Sequence, residues 1–224
     1  MIAIWRGEFD VVSSGSAEDG KCMKPVLGIL CGMEDEARIL GDLRHDPRVI
    51  VRISAGRAEL ARTYAREMCE LGVKGIVSWG VCGGLDPELR SGDVVVCSPD
   101  EVLASETVLS SSQQKLNGRT GGYRIVDLES GAVARASVQG KAIRVVLDEA
   151  GFDLPAPALV ALRADGRPDL PRILWKLLVS PTSLPAMVGL ARRHKAALVA
   201  LSECKGQIDD MLEILSSASE DRTP

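Results

Sequence analysis

Three times in the first eighty residues a short apolar run breaks on glycine. Pro25 to Cys31 stops at Gly32, Val49 to Ser54 stops at Ala55-Gly56-Arg57, and Ile76 to Trp79 stops at Gly80. Helical patterns fill the gaps. Gly32 to Arg38 opens a helix reaching about Leu43. Ala58 to Leu71 places Ala61, Tyr64, Ala65, Met68 and Leu71 on one face before Gly72 ends it. Strands alternating with helices at this spacing form a largely parallel sheet with right-handed crossovers. The expected fold is therefore α/β: a single domain with a central mixed, mostly parallel sheet flanked by helices. Ligands of such sheets gather at the carboxyl ends of the strands, and all three glycine turns lie there. Glycine lets backbone approach a ligand, and successive N–H groups in such a turn can form an anion site.

The stretch from Gly75 to Val96 reads as strand, glycine turn over 80–84, a turn at Asp86-Pro87, and a second strand from Val94 to Cys97. Beyond it, 98–122 is polar, with a capped helical start at Ser110 to Gln114. Tyr123 to Val126 is a short strand. A helix is expected from Asp127 to about Gln139, stopping at Gly140. Ala142 to Leu147 is a further strand, with Asp148 at its end. Leu170 to Leu178 and Leu184 to Leu201 follow as helices. Residues 1–22 read as a flexible N-terminal extension, 23–204 as the domain, and 205–224 as a C-terminal tail.

Charge excludes several partners. The 27 basic and 31 acidic residues are well mixed and leave a net charge of −4, so there is no basic patch for nucleic acid. Six cysteines lack CxxC spacing and there are only two histidines, His45 and His194. No metal site is expected, and the thiols read as reduced groups of a cytoplasmic protein. No apolar run is long enough to span a bilayer, and the start does not look like a signal peptide. A G-x-G-x-x-G after the first strand is missing, which sets a dinucleotide-binding module aside.

Acids draw attention at two places. Glu34, Asp35 and Glu36 sit in a first helical turn, where the macrodipole alone favours carboxylates. Asp148 stands at a strand's carboxyl end, where an acid either serves the functional rim or caps the next turn.

The segments GILCGMEDEARIL, SAGRAELA, SWGVCGGLDPELRSGDVVV, VDLESGAVARA and RVVLDEA occur in this order. Together they resemble the purine nucleoside phosphorylase and methylthioadenosine nucleosidase superfamily, over about residues 24–200. The stretch ALRADGRPDLPRILWKLLVSPTSLPAMVGLARRHKAA resembles the hopanoid-associated phosphorylases. The resemblance implies an enzyme of the pentosyltransferase type that breaks the N-glycosidic bond of a nucleoside. For the hopanoid group it implies an adenosylhopane-type substrate that loses adenine. There would be no cofactor, but inorganic phosphate would be a co-substrate. It also implies a homo-oligomer, brought near a membrane by its lipid substrate.

Residue by residue, the resemblance implies that Asp148 protonates the purine and Glu36 positions or activates the nucleophile. Glu129, with Leu128 beside it, holds the ribose. Gly32, Arg38, Gly56, Gly80 and Val81 fall where the family binds phosphate or the nucleophile. The chain departs from the family in a shortened link between Val96 and Asp127, and Leu147 stands where a serine commonly precedes the aspartate. Two other readings stay open: a methylthioadenosine/S-adenosylhomocysteine-type nucleosidase that uses water, and a non-catalytic nucleoside-binding relative.

Overall fold

The first strand, β1 (Leu27–Cys31), is buried along its whole length, as expected where both faces of a sheet are covered. A computed structural model describes residues 24–160 and 162–220 of the chain. The N-terminal extension expected over 1–22 lies outside the described residues. After β1 come α1 (Glu34–Ile39), a 3-10 turn at Gly41–His45, β2 (Val49–Ile53), α2 (Ala58–Glu70) and β3 (Gly75–Gly84). Then follow β4 (Val94–Cys97), β5 (Leu103–Ala104), α3 (Ser112–Arg119), β6 (Ile125–Asp127), α4 (Ser130–Ala134) and β7 (Gln139–Asp148). Three helices close the chain: α5 (Leu170–Val179), α6 (Leu184–Glu203) and α7 (Gly206–Glu220).

The sheet is mixed and mostly parallel, as the strand–helix alternation implies. β1 runs parallel to β2 on one side and to β3 on the other. β7 runs parallel to β3 along its other edge, with a register shift between Cys82 and Gly83. β4 pairs antiparallel with β7. β6 pairs antiparallel with Gly83 and Gly84, and β5 lies parallel to β6.

The two-residue period of the strands divides the core. Leu27, Ile29, Cys31, Val77, Trp79, Ile143 and Val145 face α6 and α7, which contribute Ala197, Leu201, Ile208, Met211, Leu212 and Leu215. Leu30 and Ile76 face the other way, against Ala61, Ala65 and Met68 of α2 and Ala132 and Val133 of α4. Gly28 belongs to this second face. A Cβ there would lie 2.6 Å from the Met68 sulfur, so a larger residue would force the Met68 side chain to shift.

Three local expectations change. The glycine stretch 80–84 is the second half of β3, because β7 and β6 supply partners for it. The helix expected from Asp127 to Gln139 shrinks to α4, and Gly140 lies inside β7. Much of the stretch set apart as a tail, 205–224, is α7, whose apolar stripe is part of the core.

Candidate active site

The turn after β6 shows how the chain builds its functional rim. The Asp127 carboxylate accepts the backbone N–H groups of Glu129 (3.2 Å) and Ser130 (2.8 Å), together with the Ser130 hydroxyl (2.5 Å). These bonds fold VDLES into a tight turn that sends the Glu129 side chain inward, where it is buried. One Glu129 oxygen accepts the Ser54 hydroxyl at 2.7 Å, and the other accepts Arg144 Nη2 at 3.2 Å. Ser54 is held at the end of β2 by its N–H on the Cys31 carbonyl (2.8 Å), just before two left-handed residues, Ala55 and Gly56.

Glu36 enters the same cluster from α1. Its carboxylate accepts three backbone N–H groups: Gly32 and Met33, both at 2.8 Å, and Val81 at 2.9 Å. Its carbonyl accepts the Trp79 indole N–H at 3.1 Å, which fixes α1 against β3. Gly80 has φ 146°, and a Cβ there would collide with the Glu36 carboxylate. Burial raises the Glu36 pKa from 4.5 to about 7, against the pull of Arg144 and with a further push from Glu129. Glu129 is also raised by burial, partly offset by Arg144.

The cation of the cluster is Arg144, on an inward position of β7. Its Nε lies 2.7 Å from Asp127, and its Nη2 meets Glu129 and the Ser78 hydroxyl. Its Nη1 donates to the Val81 carbonyl at 3.3 Å. Burial disfavours the guanidinium, but Asp127, Glu129 and Glu36 outweigh it and raise the Arg144 pKa overall. One cation among three buried carboxylates leaves an excess of negative potential. Sequence reasoning missed Arg144, although an arginine in the apolar strand run AIRVV was a signal that it had a buried acidic partner.

Asp148 sits at the end of β7, opposite Gly83 in register and buried, but in different company. Its carboxylate pairs with the fully buried ammonium of Lys115 on α3, which also donates to the Glu149 (2.8 Å) and Phe152 (2.9 Å) carbonyls. Burial raises the Asp148 pKa and Lys115 opposes it, with a smaller pull from Arg193. Arg193 lies over the Phe152 ring, 4.2 Å from its centroid. Lys115 was the second residue missed.

The remaining candidates divide. Gly32 and Val81 are at the cluster through their N–H groups. Gly56 lies near it, and a Cβ there would be 3.5 Å from Leu162 and 3.9 Å from Leu128. Arg38 is not brought in. It is half exposed and pairs with Glu34 (3.4 Å) and Asp35 (3.3 Å) on its own helix. A hairpin bridged at Leu162 and Pro168 lies over the rim, with Gly166 accepting the Glu34 N–H at 3.2 Å. An open cleft of about 550 Å³ is lined by Gly56, Arg57, Leu60 and Arg62 and crossed by an Arg62–Glu106 bridge of 2.6 Å. None of the three carboxylates lines it. No group of His, Cys, Asp and Glu suited to a metal ion occurs among the described residues.

The phosphorylase superfamily profile matches residues 26–146. No curated protein matches the chain. Among solved structures, the chain is similar to the 5′-methylthioadenosine/S-adenosylhomocysteine nucleosidase of Helicobacter pylori. That match has 13% identity and a TM-score of 0.55, over 83% of this chain and 98% of that one. It is also similar to the S-adenosylhomocysteine nucleosidase of Streptococcus pyogenes, with 14% identity and a TM-score of 0.50, over 59% and 87% of the two chains. The futalosine hydrolase of Helicobacter pylori matches at 14% identity and TM-score 0.49, over 57% and 86%. At such identities the likeness is one of fold.

These findings correct the expected hopanoid-type phosphorylase with inorganic phosphate as co-substrate. The better-aligned of these similar structures are nucleosidases. The geometry supplies the physical reason. The turn N–H groups at Gly32 and Val81 that were to hold phosphate already hold the Glu36 carboxylate, and Arg38 points away. A phosphate dianion would enter a site already in excess of negative charge.

Proposed function

The chain belongs to the phosphorylase superfamily, and on that premise we propose that it is a nucleosidase, hydrolysing the N-glycosidic bond of a purine nucleoside. The observation that carries this reading is the bonding of Glu36. A carboxylate offers about four lone-pair sites. Three are taken by the backbone N–H groups of Gly32, Met33 and Val81, which leaves one for a water molecule and none of these three donors for a phosphate. A carboxyl group with a pKa of about 7 is matched to general-base work near neutrality.

The other residues take complementary roles. Each Glu129 oxygen has one protein partner, so each keeps a lone pair for one hydroxyl of a ribose diol. Glu36 takes a proton from water as the oxygen bonds to the anomeric carbon. The bond to the purine nitrogen breaks with its electron pair going to the base, and the base takes a proton that the Lys115 ammonium passes through the Asp148 carboxylate. The products are free base and free sugar. Positive charge that develops on the sugar meets the carboxylate excess around Arg144. Access to the buried cluster requires the Leu162–Pro168 hairpin to move off the rim. The substrate class is that of 5′-substituted adenine nucleosides, as in the nucleosidases of similar fold, and the enzyme is a homo-oligomer.

One observation favours a second reading. Lys115 sits on Asp148 as a ready-made counter-ion, which would also suit a nucleoside-binding relative without turnover. The test is adenine release from 5′-methylthioadenosine and S-adenosylhomocysteine, with and without phosphate. Equal release in both is expected. Release that needs phosphate would reject hydrolysis. No release from folded protein that still binds the nucleoside would favour the second reading.

A further inference from the structure

The helical hairpin of α5 and α6 carries an apolar surface that no described residue covers. Leu170, Leu174 and Leu178 follow one another at four-residue spacing on α5, with Trp175 and Val179 beside them, and all five are exposed. Trp175 is 68% exposed and Leu178 76%. No residue of α5 is buried. On α6, the positions Leu184, Val188, Arg192, Lys195 and Val199 form one helical stripe, apolar at first and then basic. Monomer surfaces rarely leave so much contiguous large apolar surface without a use.

Charge identifies the occupant. Between Leu170 and Ser202 there is no Asp or Glu, while Arg172, Lys176, Arg192, Arg193 and Lys195 all occur there, in a chain whose net charge is −4. Asp169, just before α5, caps that helix and lies 3.4 Å from Arg172. A two-fold contact with a second copy would set this patch against itself, cation to cation, with no acid in the segment to answer it. An exposed helix with a broad Leu/Trp face and cations beside it matches a helix that lies in a lipid interface. No single described helix is long and apolar enough to cross a membrane, and α5 meets the following helical run at 114°.

We propose that the α5–α6 hairpin docks the protein on an anionic lipid bilayer surface, with Trp175 and the α5 leucines inserted and Arg172 and Lys176 at the headgroups. The proposal does not depend on the reaction at the carboxylate cluster. The full chain is mixed with vesicles of pure phosphatidylcholine or of phosphatidylcholine with phosphatidylglycerol, and binding is read by sedimentation. Binding at least about tenfold tighter to the anionic vesicles is expected, weakening as salt rises. In a Trp5→Phe background, tryptophan emission should shift to the blue on binding, and Trp175→Phe should remove that shift, since Trp79 is already buried. Arg172→Glu with Lys176→Glu, and separately Leu174→Ser with Leu178→Ser, should each cut binding at least about tenfold without lowering the melting temperature. Absent binding, or equal binding to both vesicles, overturns the proposal. So does a dimer of the unaltered chain that dissociates in the Leu174→Ser, Leu178→Ser variant.

Discussion

Glu36 and Glu129 meet across Gly32: a Cβ on that glycine would lie 3.1 Å from Glu129 Oε1 and 3.4 Å from Glu36 Oε2. The two carboxylates come from opposite ends of the sequence pattern and are gathered by one residue that has no side chain. On the opposite side of Glu36, Gly80 plays the same part. Gly80→Ala should therefore displace the Glu36 carboxylate from the Val81 N–H. Turnover of a purine nucleoside is expected to fall about a hundredfold or more, with a loss of about 1–3 kcal/mol in stability. Denaturant melts and steady-state kinetics on the same preparation check both; an alanine variant with full activity would remove Glu36 from the reaction.

The Glu36 pKa sets two pH responses of opposite sign. As a base it must be ionised, so kcat/KM should rise with pH through about 7 and then level off. Stability runs the other way. The folded-state pKa lies above the ordinary value of 4.5, so the folded protein holds this proton more tightly than the unfolded chain. The contribution is fully present below about 4.5 and is lost as pH rises through about 7. For one buried group it amounts to roughly 3 kcal/mol. Glu36→Gln should flatten the kinetic limb, and a pH–rate profile that keeps its limb in that variant would assign it to another group.

Lys115 and Asp148 form a buried pair, and breaking it from one side strands a charge. Lys115→Met is expected to cost about 3–5 kcal/mol, and Asp148→Asn a comparable amount. The double variant should recover much of the loss, because it leaves no buried ion. A double-mutant cycle in urea measures this. Simple additivity of the two losses would show that the pair does not act as a unit.

Arg38 faces solvent and pairs only with its own helix. Arg38→Ala should change stability by no more than about 1 kcal/mol and leave turnover and phosphate sensitivity as they were. A large drop in kcat/KM would place this guanidinium in the site after all.

What the amino-acid sequence determined by itself is the alternation of elements and the parity of the strands. Leu27, Ile29 and Cys31 against Leu30 follow from the two-residue period, and the stripe of Ala61, Ala65 and Met68 follows from the helical one. Glycines at strand ends marked the rim, and the acids Glu34, Asp35 and Glu36 and Asp148 were legible near it, while Glu129 was singled out only by the family resemblance. The tertiary structure decided which donor meets which acceptor. The three acids of GMEDEAR look alike in sequence, yet Glu34 and Asp35 pair at the surface while Glu36 turns inward to the Val81 N–H, 45 residues away. Ser54 reaches Glu129 across 75 residues, and Lys115 reaches Asp148 across 33. The physical reason is that local patterning ranks residues by burial, whereas a buried charge is satisfied only by partners that chain topology delivers. For that reason the turns that looked open to phosphate are filled by a side chain of the protein itself.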